Sequence, residues 1–86
     1  MPEISRFFGI IVSMWYDDHA PPHFHVRYAG RRARFALGPF RRLSGKLPPR
    51  VVGMILEWAD LHERELSENW ELARRGLPLK RIEPLE

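Results

Sequence analysis

His23-Phe24-His25-Val26-Arg27-Tyr28-Ala29-Gly30-Arg31-Arg32-Ala33-Arg34-Phe35-Ala36 reads as a β-hairpin. Ala29-Gly30 is the two-residue turn, and Gly30 supplies the positive φ that such a turn needs. The turn fixes a register that side-chain chemistry can check. It pairs Tyr28 with Arg31, Arg27 with Arg32, Val26 with Ala33, His25 with Arg34, Phe24 with Phe35 and His23 with Ala36. Phe24, Val26, Ala33 and Phe35 then share one face, while His23, His25, Arg27, Arg32 and Arg34 share the other. A slip of one residue would mix the two sets, so the pattern supports this register. The hairpin predicts a sheet with an apolar inner face and a basic, histidine-bearing outer face.

Upstream, Ile4 to Tyr16 reads as one strand. Phe8, Ile10, Val12, Met14 and Tyr16 alternate on one side, with Phe7, Gly9, Ile11, Ser13 and Trp15 on the other. β-branched and aromatic content favours strand over helix. Asp17 to Pro22 connects this strand to the hairpin, and the double proline Pro21-Pro22 makes the connection stiff and its exit extended. Downstream, Gly38-Pro39 ends the hairpin, and Phe40-Arg41-Arg42-Leu43 is a candidate short fourth strand.

A long helix is expected from about Pro49 to Arg75, with proline in its first turn and Gly76 at its stop. Val51, Ile55, Trp58, His62, Leu66, Asn69, Trp70 and Ala73 recur at spacings of three and four, which marks the buried stripe. As one rod such a helix reaches roughly 40 Å. The tail, 77–86, alternates apolar and charged residues and suits an extended path along the sheet edge or the helix. The expected fold is α+β: a small antiparallel sheet of three or four strands (about 4–47) packed by one long C-terminal helix (about 49–75), in a single domain over 1–86.

Composition narrows the chemistry. The 86 residues contain no cysteine, so disulfides, zinc–thiolate sites and thiol nucleophiles are excluded. The apolar run near the start is short and interrupted by charge, which predicts neither a membrane span nor a signal peptide and fits a cytoplasmic protein. The net charge of +3 is unevenly spread. Residues 1–50 hold nine Lys/Arg against three Asp/Glu, whereas residues 51–86 hold five against eight. A basic first half points to an anionic partner.

Three chemistries fit the loop and the outer face. His23 and His25, two apart on a strand, would place both imidazoles on one side, where Asp17, Asp18 or His19 could complete a metal site. Arg34 opposite His25 disfavours a cation, so no metal and no cofactor is expected; if one binds, Asp17, His19, His23 and His25 are the candidate ligands. The second chemistry is general acid–base catalysis of phosphodiester cleavage by His23 and His25, with Asp17, His19 and His62 as weaker candidates. The third is binding alone, with Arg27, Arg31, Arg32 and Arg34 tracking a nucleic-acid backbone. A plain solvated face, or one covered by a partner subunit or the tail, accounts for the same residues. His62 on the apolar stripe reads first as a buried, hydrogen-bonded histidine. Ser44-Gly45-Lys46 lacks the rest of a phosphate loop, and no Gly-x-Ser-x-Gly arrangement is present.

The stretches PEISRFFGI, DDHAPPHFHVRYAG, GKLPPR and EWADLHERELSENWELARRGLPLKRIEPL resemble the short bacterial proteins grouped as domain of unknown function 4160. The resemblance rests on His19, Pro21, Pro22, His23, Phe24 and His25, and on Trp58, His62, Glu65, Leu66, Asn69 and Trp70. It implies a small bacterial cytoplasmic protein, encoded beside a second small protein in an arrangement reminiscent of toxin–antitoxin pairs. It supplies no activity. The expectation formed from residues and resemblance together is a toxin-like module that binds RNA through the His/Arg face, with cleavage as an added option, and works with a small protein partner. A non-catalytic protein-interaction module and a metal-dependent hydrolase are the alternatives, and self-association is left open.

Overall fold

The computed structural model describes residues 2–16 and 18–86. Five strands run β1 (Glu3–Phe7), β2 (Ile10–Ser13), β3 (His23–Tyr28), β4 (Arg31–Ala36) and β5 (Arg41–Gly45), followed by α1 (Pro49–Leu61) and α2 (Glu63–Arg74). The strands form one antiparallel meander in the order β1-β2-β3-β4-β5. The fold is α+β, with five strands where three or four were expected and two helices where one was expected.

The additional strand comes from Ile4–Tyr16, which is a hairpin and not one strand. Phe8 and Gly9 both take positive φ, 50° and 79°, and turn the chain in two residues. Phe7 therefore faces Ile10 across the turn, and Ser5 faces Val12. Phe7 joins Ile10, Val12 and Met14 in the core instead of lying on the outer face, and Phe8 is 61% exposed at the tip. Tyr16, expected on the same side as Ile10 and Val12, is exposed as well. The candidate strand at 40–43 is present, shifted to Arg41–Gly45.

The β3–β4 hairpin has the register derived from its side chains at all six pairs. Phe24, Val26, Ala33 and Phe35 are buried, with Phe24 and Phe35 stacked at 5.6 Å between ring centroids. Val51, Ile55, Trp58 and Ala59 of α1 close over this face, and Trp58 lies against Phe7 (5.4 Å) and Phe24 (6.0 Å).

The helix breaks at His62, whose φ of −120° and ψ of 28° leave the helical region. Its backbone N–H is shared between Trp58 O and Ala59 O, and α2 restarts with Leu66 N–H donating to His62 O. Glu63 and Glu65 place negative charge in the first turn of α2, where the helix dipole favours it. A straight helix of roughly 40 Å would overrun a molecule whose longest extent is 33 Å. The break lets Leu66, Asn69, Trp70 and Ala73 bury instead. The tail then returns along α2 and β1. The Asn69 side chain donates to Lys80 O (2.8 Å) and accepts from Lys80 N–H (2.9 Å), and Ile82 N–H donates to Ile4 O (2.8 Å).

Gly53 sits exposed inside α1, and a Cβ added there meets nothing within 4 Å. Gly53→Ala is expected to stabilise the fold by about 0.5–1 kcal/mol, by removing backbone entropy from the unfolded chain. Chemical denaturation of the two proteins checks this, and a lower midpoint for the variant would contradict it.

Candidate functional site

With the apolar set turned towards the helices, the outer face of the sheet is read off the register. Ser13, His25, Arg34 and Ser44 form one row across β2 to β5, and Arg6, Ile11, Arg27 and Arg32 form the next across β1 to β4. Arg27, Arg31, Arg32 and Arg34 are all exposed, and no carboxylate among the described residues lies within salt-bridge distance of them. Arg6 differs, since Glu3 holds its guanidinium at 2.8 Å. Arg34 is steadied from the side by Ser44, whose Oγ accepts its Nε–H at 2.9 Å.

Trp15 follows β2 and lies flat against the His25 ring, 4.6 Å between centroids and 15° between planes. Together Trp15, His25, Arg27, Arg32, Arg34 and Ser44 line a groove of about 250 Å³. One wall of this groove is an indole stacked on an imidazole, and the other walls carry three guanidinium groups.

At the upper end of the face the connecting loop folds back onto β3. Asp18 Oδ2 lies 3.0 Å from His23 Nε2 and 3.0 Å from His25 Nε2. The His19 backbone N–H donates to the other oxygen, Asp18 Oδ1, at 2.8 Å. His25 Nε2–H makes a well-formed hydrogen bond to Oδ2. His23 does not: despite the short distance its Nε2 is buried without a hydrogen-bond partner. Its other nitrogen, Nδ1, donates to Pro21 O at 2.7 Å. Pro21 thus contributes more than a stiff exit from the loop, since its carbonyl sets the orientation of the His23 ring.

The two histidines were expected side by side on an accessible face, and the structure separates their environments. His25 is partly exposed in the groove, whereas His23 is only 3% exposed. Trp70 of α2 covers it, 5.3 Å between ring centroids. α2 reaches this end of the sheet because the chain bends at His62, so the bend itself buries His23. Burial is the largest influence on His25 and pushes its pKa down, against the hydrogen bond to Asp18 and with the help of His23 and Arg34. Burial also works on Asp18, raising its pKa, but hydrogen bonds from His25 and the His19 N–H, with the His23 ring close by, outweigh it. The carboxyl is held below the ordinary aspartate range.

The remaining candidates fall elsewhere. The His19 side chain is exposed and takes no part in the cluster, although its backbone N–H orients Asp18. His62 lies at the break between α1 and α2. Its ring lies 5.7 Å from Trp58 and its Nδ1 contacts Glu65 Oε1 at 2.6 Å. Asp17 lies outside the described residues. Among the described residues, Asp18, one of three loop residues weighed as a third ligand, meets both histidines. The burial of His23 by Trp70 had no signal in the sequence, because it depends on where α2 points after its break.

No helix among the described residues is long and apolar enough to cross a membrane. No curated protein and no solved structure matches the chain. The family model described as Domain of unknown function (DUF4160) matches residues 9–71, a span that holds the Asp18 loop, both hairpin strands and Trp70, and the chain belongs to that family.

Proposed function

We propose that the protein binds single-stranded RNA on the outer face of its sheet, with the groove beside Trp15 holding a nucleotide. The observation that carries this reading is the lining of the groove: a part-exposed indole beside Arg27, Arg32 and Arg34, none of them neutralised by a described carboxylate. Guanidinium groups hold phosphate oxygens through paired N–H donors, and an aromatic face stacks any base. A sheet that offers a base platform together with cations is a recurring solution for unpaired RNA, whose bases are free to stack. The reading is one of binding and not of cleavage by a histidine pair. His23 is sealed beneath Trp70, and His25 spends its Nε2 on Asp18.

The test is fluorescence anisotropy of a labelled single-stranded RNA at several salt concentrations. Three arginine–phosphate contacts predict a slope of log K against log salt of roughly −2, at about −0.7 per phosphate on a single strand. The Arg32→Ala/Arg34→Ala double variant is expected to flatten that slope by about 1.4 and to weaken binding at low salt at least tenfold. Trp15→Ala should weaken binding by about 1–3 kcal/mol per stacked base while leaving the slope unchanged. Salt-independent binding, or equal affinity in the double variant, would exclude the arginine face as the RNA site. Binding of an acidic protein in place of RNA would overturn the reading in favour of an interaction module.

A further inference from the structure

The loop–strand junction carries a second feature that does not depend on RNA binding. The Pro21 carbonyl can only accept, so His23 Nδ1 bears the hydrogen of that 2.7 Å bond. In a neutral ring the Nε2 is then a bare lone pair. It is buried, and it points at a carboxylate oxygen 3.0 Å away that is also an acceptor. Two acceptors at that distance repel unless something positive stands between or beside them. Backbone carbonyls that fix the Nδ1–H tautomer of a histidine are the usual outer support of an imidazole whose Nε2 binds a metal.

We infer that Asp18 Oδ2, His23 Nε2 and His25 Nε2 form a site for one divalent transition-metal ion of the zinc class, which on binding displaces to solvent the Nε2 proton that His25 otherwise shares with Asp18. The three donor atoms lie within 4.8 Å of one another. A tetrahedral ion with bonds of about 2.0–2.1 Å holds its ligand atoms roughly 3.3 Å apart. The two contacts of 3.0 Å are therefore a few tenths of an ångström short of what the ion requires. The two nitrogens, within 4.8 Å of each other, must also draw together, and the side chains free to move are Asp18 and His25, which are 16% and 18% exposed.

The donor set chooses the ion. Two imidazoles and one carboxylate suit zinc and its first-row neighbours, whereas calcium and magnesium prefer shells of oxygen. The groups that would hold these ligands in position are already present. The Pro21 carbonyl orients His23, the His19 backbone N–H holds the free oxygen of Asp18, and Trp15 and Trp70 pack on the two rings. Arg34, the cation paired with His25 across the β3–β4 ladder, is steadied towards Ser44 by a 2.9 Å hydrogen bond. Three protein ligands leave a further position for water or an anionic oxygen.

The experiment uses the full chain without a histidine tag, freed of metal by chelation and dialysis. Cobalt(II) is titrated with its visible d–d absorption as the readout, and zinc(II) by calorimetry. The expected result is uptake of one equivalent, with a cobalt spectrum of tetrahedral intensity and a higher unfolding temperature in zinc. Asp18→Asn and His25→Ala should each weaken zinc binding by about 100-fold or more, since loss of a ligand exceeds the loss of an outer partner. His19→Ala should bind as the parent does. His23→Ala risks collapse under Trp70, so the two part-exposed ligands carry the test, with far-ultraviolet dichroism confirming their fold. No uptake by the parent protein overturns the site. Undiminished binding in Asp18→Asn overturns it as well. RNA affinity is measured separately, so failure of one reading leaves the other standing.

Discussion

Gly45→Ala is expected to destabilise the fold by about 3 kcal/mol or more, a large share of the roughly 4–13 kcal/mol available to a domain of this length. Two independent costs meet at this residue. Gly45 has φ of +88°, where a Cβ is strained by about 1–2 kcal/mol. A Cβ built there would also collide with Arg32 O and stand 2.7 Å from Ala33 Cα and 2.9 Å from Ala33 Cβ. Two of those atoms are backbone of the neighbouring strand, so no rotamer change relieves the clash. β5 must instead move away from β4 at the point where Gly45 faces Ala33. Ser44 would move with it and release Arg34, which couples the fold defect to the groove. Gly30→Ala is the natural comparison. Its φ of +78° is similar, but a Cβ there meets nothing within 4 Å, so only the conformational cost remains. Urea midpoints of the two variants separate the costs. Equal losses would mean that close approach of β4 to Gly45 contributes nothing.

The residues that were legible in the sequence are those whose evidence is local. The β3–β4 register follows from a two-residue turn and a period of two, and both are properties of a 14-residue stretch. The stripe of Val51, Ile55, Trp58, Leu66, Asn69, Trp70 and Ala73 is legible for the same reason. The first hairpin was hidden because Phe8 is a poor turn residue and because Phe8 and Gly9 sit inside an apolar run. A two-residue turn places Phe7 opposite Ile10, so the side-chain parity changes without any break in hydrophobicity. The helix break at His62 was hidden because the stripe continues at helical spacing on both sides. Its consequence for the site is large: it brings Trp70 onto His23 and turns an expected surface histidine into a buried one. The loop was legible as the place where chemistry gathers. That Asp18 turns towards both histidines was not, since its position depends on the path of the loop backbone, where the His19 N–H holds it.

The second large effect is expected at Trp58, which is fully buried and closes the inner face of the sheet. Trp58→Ala removes an indole packed on Phe7, Phe24 and His62, at a cost of about 3–5 kcal/mol from lost burial and the cavity left behind. That is a large share of the roughly 4–13 kcal/mol available to the domain, and the variant should melt well below the parent. Trp58→Phe separates packing from hydrogen bonding. It keeps an aromatic ring in the core but loses the indole N–H that donates to Glu83 O at 2.8 Å. An unpaired part-buried carbonyl and a reduced ring cost about 1–3 kcal/mol, and the effect should be greatest in the tail. Ile82, which is buried and donates its N–H to Ile4 O beside this contact, is the reporter. Its amide is expected to exchange faster in Trp58→Phe, with amides of the β3–β4 ladder less affected. RNA affinity of the folded variant should be unchanged, because Trp58 lies on the face of the sheet opposite the groove. Unaltered protection at Ile82 would show that the tail is held by Asn69 and the β1 edge alone.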